Sequence, residues 1–379
     1  MYTTLKIRQA SILDLEDGQM QAADLYLENG MIREISSNIV IHAQEEIDAN
    51  GLILTPGLVD AHVHIFHDMP QGFIGLDPDR YHLPSGTTCV IDQGSTGADH
   101  YNLFKRHVMM RTAVMCKEVL NCSRTGMYVS SLSGAGELEN LKDLNKEMFC
   151  RTVSSDPENI VGVKIRLTPN VCPKDAEYAL KRAAELAREL NLPLVVHPNG
   201  ADMEDTVLFD TLQAGDVYTH TYHDSLVGIL DERRRVKQLA VSARERGVIF
   251  DTAHGSNSLS FPVLKDALEQ GFEPDTISTD LHNGNYQGPV FDLPTTISKF
   301  LCLGMPLHRA MYKAVAAPAA IWKLSTKCIR LEAGQYADLA AFRLDQSGHE
   351  YVDAAGNLLR GSYRLLPRFT ILGKRVYHR

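Results

Sequence analysis

Apolar residues along the chain follow two rhythms. From Met1 to about Gly51 they alternate with polar ones. Ala22–Leu27 and Met31–Ile35 read as strands, and Asn29-Gly30 between them is a tight-turn signal. The stretch from about Lys327 to Arg379 has the same character, with turns at Ala333-Gly334, Ala355-Gly356 and Leu372-Gly373. The two ends together predict one small β-sandwich domain, residues 1–51 with 327–379.

Between them the pattern changes. Eight apolar runs recur: Leu52–His64, Thr87–Gln93, Val114–Cys122, Ile160–Leu167, Leu192–His197, Asp216–His220, Val248–Thr252 and Thr276–Asp280. Continuous Val, Ile and Leu mark parallel strands buried on both faces. Asp175–Leu190 places apolar residues at 176, 179, 180, 183, 184, 187 and 190, which is the helical period, and Asn191 is a stop. Strands alternating with helices give the class α/β, and eight of them predict a (β/α)8 TIM barrel over residues 52–326.

Composition narrows the function. The chain is 44% hydrophobic and 22% charged, as a soluble globular protein is. Lys and Arg total 38 against 47 Asp and Glu, a net charge of -9. That argues against nucleic acid as a partner, since phosphate binding needs a basic surface. A small-molecule substrate stays open, and an anion could be held by a single buried Arg. The seven cysteines, an odd number with no CxxC pair, read as reduced core thiols of a cytoplasmic protein. No apolar stretch reaches the roughly 18 residues of a membrane span. The start, Met1 to Ile12 with Lys6 and Arg8, reads as a strand and not as a signal peptide. The pattern is compatible with a homo-oligomer.

The strongest local signal is Asp60-Ala61-His62-Val63-His64 at the end of the first run. Strand side chains alternate faces, so His62 and His64 point the same way and can grip one metal ion. Lys164, His197, His220 and Asp280 also stand at strand ends. From His64 to Lys164 is 100 residues, then 33 to His197, 23 to His220 and 60 to Asp280. These intervals place the candidates on strands 1, 4, 5, 6 and 8 of the predicted barrel, at the C-terminal ends where barrel enzymes carry their active sites.

This order, HxH, Lys, His, His, Asp, resembles the amidohydrolase superfamily in its binuclear form. Pro56-Gly57-Leu58-Val59-Asp60-Ala61-His62-Val63-His64 matches the family's opening. Gly334-Gln335-Tyr336-Ala337-Asp338-Leu339 matches its return into the β-domain. Imidazole and carboxylate ligands suit zinc or a similar divalent ion. The resemblance implies two such ions, with His62, His64 and Asp280 on one and His197 and His220 on the other. Lys164 would bridge both as a carbamate formed with CO2. A hydroxide between the metals would attack a carbonyl carbon, and Asp280 would carry its proton to the leaving nitrogen or oxygen.

The substrate is less legible. Arg166 is two residues past Lys164, hence on the same strand face, and its planar fork matches a carboxylate. His223, His254 and His282 lie just beyond strands 6, 7 and 8 and are candidates for lining the substrate pocket. The remaining histidines, His42, His67, His82, His100, His107, His308, His349 and His378, fit no pattern and read as surface or structural. Dihydroorotases characteristically carry an Arg two residues after the HxH, where this chain has Phe66. Gly86-Thr87-Thr88-Cys89-Val90-Ile91-Asp92-Gln93-Gly94-Ser95 and Leu120-Asn121-Cys122-Ser123 are similar to a subgroup labelled dihydroorotase or amidohydrolase/deacetylase, some members of which resemble enzymes cleaving acetyl esters. The leading expectation is a deacetylase-type hydrolase for a small carboxylate-bearing acyl compound. The alternatives are a cyclic amidase of dihydroorotase or hydantoinase type and a catalytically silent scaffold that keeps metals for stability.

Overall fold

The computed structural model describes residues 1–67, 74–127, 136–325, 327 and 329–379. The two ends of the chain form one mixed eight-stranded sheet. Its N-terminal strands are β1 (Thr4–Leu13), β2 (Met20–Glu28), β3 (Met31–Ser36), β4 (Glu45–Asp48) and β5 (Ile53–Pro56). Asn29 and Gly30, with φ of 51° and 79°, make the β2–β3 turn that the sequence announces. Leu5, Ile7, Leu25 and Leu27 fill its core with Leu339 and Ile371 from the C-terminal strands.

The second sheet is parallel. It contains β6 (Leu58–Val63), β7 (Thr87–Asp92), β8 (Met115–Asn121), β9 (Ile160–Arg166), β10 (Leu194–His197), β11 (Val217–Tyr218) and β12 (Ile249–Phe250), paired in sequence order. Helices Lys146–Ser155, Ala176–Glu189, Asp205–Thr211 and Gln238–Glu245 fill successive connections from β8 to β12, and Phe261–Glu269 follows β12. Ala176–Glu189 shows why the periodicity was informative. Its apolar stripe buries Ala179, Leu180, Ala183 and Ala187, and the Asp175 side chain caps the Tyr178 N–H at 2.9 Å. Asn191, at φ 51°, stands just past its end.

The eighth run forms no extended strand. Segment 276–281 instead makes a single parallel bridge at each edge of the sheet, Asp251 with Thr276 and Val63 with Leu281. The structure therefore carries a parallel seven-stranded sheet with helices and a separate sheet-rich part.

After the helical region the C-terminal strands follow: β13 (Asp338–Asp345), β14 (His349–Val352), β15 (Leu358–Gly361), β16 (Arg364–Leu372) and β17 (Arg375–His378). β13 pairs with β5 and β16, while β14 and β15 make a separate hairpin. The six cysteines among the described residues are free, and Cys328 lies outside them.

One expected strand is two. The run Leu52–His64 divides at Gly57, with β5 in the terminal sheet and β6 in the parallel one. The division has a physical cause. A Cβ on residue 57 would collide with Asp338 Oδ1 and Thr88 Oγ1. Glycine leaves room there for a buried knot: Thr88 donates to Asp338 Oδ1 at 2.6 Å, Lys327 donates to Asp338 Oδ2 at 2.6 Å, and Lys327 also reaches Thr88. The knot ties the start of β13 to β7, and so one sheet to the other. Removing one partner of a buried pair strands the other charge, at a cost of roughly 3–5 kcal/mol. Asp338→Asn is expected to lower urea-unfolding stability by about that amount. Adding Lys327→Met should recover part of the loss, and strictly additive losses would show that the two residues do not act as a pair.

Candidate active site

The C-terminal ends of the parallel strands converge on a cavity of about 310 Å³. Its lining includes His62, His64, Lys164, Arg166, His197, His220, Asp280 and His282. Six of these are the metal-ligand candidates of the sequence reading, drawn from positions 218 residues apart, since 280 minus 62 is 218.

His62 and His64 are two apart at the end of β6 and share a face as strand alternation requires. His64 Nε2 lies 3.1 Å from Asp280 Oδ1, and His62 Nε2 lies 3.8 Å from the same oxygen. One ligand atom from each of His62, His64 and Asp280 falls within 4.8 Å of the others. Lys164 reaches across from β9 and puts Nζ 3.4 Å from His62 Nε2. The His220 ring centroid is 4.9 Å from that of His62, and His197 is 4.1 Å from His220. The chain thus gathers these four imidazoles and a buried lysine around one cavity.

His220 and Asp280 reach the cavity by an irregular route. Both have positive φ, 61° and 52°. Non-glycine residues hold that conformation only where surrounding structure enforces it. At Asp280 the enforcement is visible. Thr279 donates through N and Oγ1 to the two oxygens of buried Asp60, at 3.0 and 2.6 Å, and Asp280 N donates to His62 O at 2.6 Å. Asp60, two residues before the HxH motif, carries no signal in the sequence that sets it apart as functional. Its carboxyl is pushed up to about 7, mainly by burial, with the Thr279 bonds opposing.

The electrostatics suit metal ligation. Burial holds His62 and His197 well below the usual imidazole range and brings His220 to about 3, so the rings stay neutral with lone pairs available. Burial alone would raise the Asp280 carboxyl, but His64's hydrogen bond and the neighbouring imidazoles hold it well below the usual carboxylate range. Burial also brings Lys164 down to about 7, helped by Arg166 and opposed by Asp280. Neutral imidazoles and one carboxylate aimed at a common point form a donor set that fits a divalent ion of the zinc type.

The other candidates separate. Arg166 lines the cavity, and its Nη1 lies 3.1 Å from Glu137 Oε1. Glu137, from the segment after β8, had no periodic signal to mark it. His282 lines the cavity, held by Ser256 Oγ at 3.2 Å and Gly284 N at 3.0 Å. His223 and His254 are not among the lining residues. The His223 ring is taken up by Tyr218 Oη at 3.0 Å and Ser225 Oγ at 2.8 Å. His254 accepts from Lys299 Nζ and contacts Gly255 O at 2.9 Å. A position just past a strand end did not suffice to turn these two rings inward. Phe66, where dihydroorotases carry an Arg, is fully buried against Phe104.

Such a cluster of imidazoles, lysine and carboxylate at the C-terminal ends of parallel strands defines a class of hydrolytic enzyme. The sequence matches the Amidohydrolase family over residues 53–374, and the chain belongs to that family and is a hydrolase. It is similar to a protein of Brucella anthropi named deacetylase, with 30% identity covering 91% of this chain and 85% of that one. A solved structure described as a dihydroorotase superposes with a TM-score of 0.89 at 26% identity, covering 99% of this chain and 98% of the other. One described as an adenine deaminase does so at 0.88 and 28%, covering 99% of each. Among the described residues no helix is long and apolar enough to cross a membrane.

The Asp60 seam gives a measurable expectation. Asp60→Leu removes the acceptor of two Thr279 donors; the N–H is left buried without that partner, at a cost of roughly 1–3 kcal/mol, and Oγ1 keeps only a 3.4 Å contact with His62 O. Stability to urea should fall by that order and metal retention should fall with it, because Asp280 loses its register. Unchanged metal retention in a destabilised variant would confine Asp60 to folding.

Proposed function

We propose that the protein is a metal-dependent hydrolase of deacetylase type, cleaving an amide or ester bond of a small acyl compound that bears a carboxylate. The observation that carries this reading is the meeting of His62, His64, Lys164, His197, His220 and Asp280 around one cavity with Arg166 above Lys164 on the same strand face. The name of the Brucella anthropi relative supports the deacetylase half of it. In this reading segment 276–281, bridged at both edges of the sheet, closes an eight-stranded barrel. Residues 52–326 form the catalytic domain and 1–51 with 327–379 the β-sandwich companion, in a cytoplasmic enzyme.

His62, His64 and Asp280 would hold one divalent ion and His197 and His220 a second, zinc in both cases, with Lys164 bridging as a carbamate. The ions supply electrophilic polarisation of a carbonyl and ease the loss of a proton from water. Asp280, its carboxyl held ionised, would take a proton from water and hand it to the leaving nitrogen or oxygen. Lys164 is suited to carbamate formation because an amine reacts with CO2 only when neutral, and burial brings it to about 7. Glu137 takes one end of the Arg166 guanidinium, and the remaining donors of the fork would pair with a substrate carboxylate. His282 flanks the same cavity.

A ring-opening cyclic amidase is the second reading, favoured by the neighbour described as a dihydroorotase. Phe66 weighs against it, since an anion-binding side chain is missing at that buried position.

Protein purified without chelator should approach two divalent ions per chain, and Lys164→Ala should lose at least one together with most turnover. A short carboxylic acid added in solution should partly restore both. A fully loaded sample that never exceeds one ion, or full activity in the variant, would end the bridged-pair reading. Turnover on matched N-acetyl, O-acetyl and cyclic-imide compounds separates the readings, and metal without turnover on any of them would indicate the silent scaffold.

Arg166 tests the substrate class. Arg166→Met should weaken capture of a carboxylate-bearing substrate by roughly 2–5 kcal/mol, the scale for losing one partner of a buried charge pair. A substrate with the carboxylate masked should lose far less in kcat/KM. Equal losses for the two would mean that Arg166 serves only its pair with Glu137.

A further inference from the structure

The Nδ1 atoms of the two HxH imidazoles have matching surroundings, one past the end of β7 and the other past the end of β11. His64 Nδ1 is 2.8 Å from Ser95 Oγ, and that hydroxyl donates to Asp92 Oδ2 at 2.8 Å. His62 Nδ1 is 2.9 Å from Thr219 Oγ1, and that hydroxyl donates to Asp251 Oδ2 at 2.8 Å. Ser95, Asp92 and Thr219 are wholly buried and Asp251 nearly so. We propose that Ser95 and Thr219 are positioning residues, each relaying a buried carboxylate to one imidazole so that the ring is held as its Nδ1–H tautomer with Nε2 turned to the metal. The inference rests on the reading of His62 and His64 as metal ligands.

A hydroxyl has one proton to give. Asp92 also accepts from Ile65 N at 2.9 Å and Ser95 N at 2.8 Å, so its oxygens are surrounded by donors and offer none. Asp251 Oδ1 likewise accepts from Thr276 Oγ1 at 2.5 Å and Ser278 Oγ at 2.6 Å. Each relay hydroxyl therefore spends its proton on the carboxylate, and its oxygen can only accept from the ring. Nδ1 must carry hydrogen, which leaves Nε2 as the atom aimed inward, at Asp280 from His64 and at Lys164 from His62. His220 reaches the same state more simply, with Nδ1 2.8 Å from the Ala253 carbonyl, which can only accept.

The spacer has a chemical consequence. A carboxylate directly on an imidazole raises its basicity and favours imidazolium. A hydroxyl between them fixes ring orientation and tautomer while moving the charge one group away. His64 shows this fully. For His62 the Asp251 oxygen also stands 3.4 Å from Nδ1, so the hydroxyl shares the contact.

Side-chain 15N NMR of the metal-free protein reads the tautomer of each ring directly. Unsubstituted protein should show His62 and His64 both protonated at Nδ1. Ser95→Ala should leave His64 Nδ1 without its proton in part of the population and leave His62 as it was, and Thr219→Val should do the reverse. Each should weaken zinc retention against a competing chelator by about 10–100-fold, the scale for losing the partner of a ligating imidazole. Ser95→Thr and Thr219→Ser should return tautomer and retention towards normal. The two relays are independent, so a variant that fails to fold leaves the other to decide. Rings that keep their tautomer in both alanine-type and valine-type variants, or that shift together in either one, would overturn the proposal. Unsubstituted protein with both tautomers in place that takes up no divalent ion would overturn the metal-centre reading and leave the relays standing.

Discussion

The seam between β6 and segment 276–281 is the constraint on which the site depends. Four bonds define it. Asp60 accepts twice from Thr279, Asp280 N reaches His62 O, and His64 N reaches Leu281 O at 3.1 Å. On the β6 side these bonds are what holds the segment, which makes only one bridge at each edge of the sheet. A buried carboxylate is costly unless its oxygens are occupied by donors, and Thr279 supplies two of them to Asp60. The outcome is that Asp280 meets His62 and His64 in fixed register, though 216 residues, 280 minus 64, separate it from the nearer one.

The same region shows how a strand end can use two consecutive residues. In regular strands neighbours face opposite sides. At the end of β11, Thr219 points its hydroxyl at His62 while His220 also enters the cavity. At the eighth position Thr279 binds Asp60 while Asp280 faces His64. His220, Ala253 and Asp280 all have positive φ, and they end three successive positions of the sheet. Turning the backbone there presents a ligand and its support from adjacent residues. Strain of this kind, of order 1–3 kcal/mol per residue, is tolerable because the hydrogen bonds around it over-determine the conformation.

This explains what could be read from sequence and what could not. His62, His64, Lys164 and Arg166 follow simple alternation, so their common face was predictable from spacing. The helix over Asp175–Leu190 was equally plain, because its apolar stripe and cap are local. Gly57 looked like part of one strand, because the collision that splits it involves Asp338 and Thr88, distant in sequence. His223 and His254 stand where His220 and Asp280 do, past strand ends. Their rings turn away because Tyr218 and Lys299 claim them, and no periodic signal announces such partners. Glu137 escaped notice for the same reason. It belongs to no strand or helix, yet it balances the only arginine that lines the cavity among the described residues.

That balance bears on how one strand can carry both Lys164 and Arg166. Two residues along a strand stand roughly 7 Å apart, and two cations there, largely buried, would repel. Arg166 cannot relieve this by losing a proton, because a guanidinium stays charged at any pH a protein meets. Its charge is met instead by Glu137. Lys164 is the member that can yield, and its surroundings push it to. Burial works hardest against its ammonium form, and Arg166 adds to that, while Asp280 pulls the other way without prevailing. In the proposed carbamate that repulsion would turn into attraction, because an anion would then stand beside the fixed guanidinium.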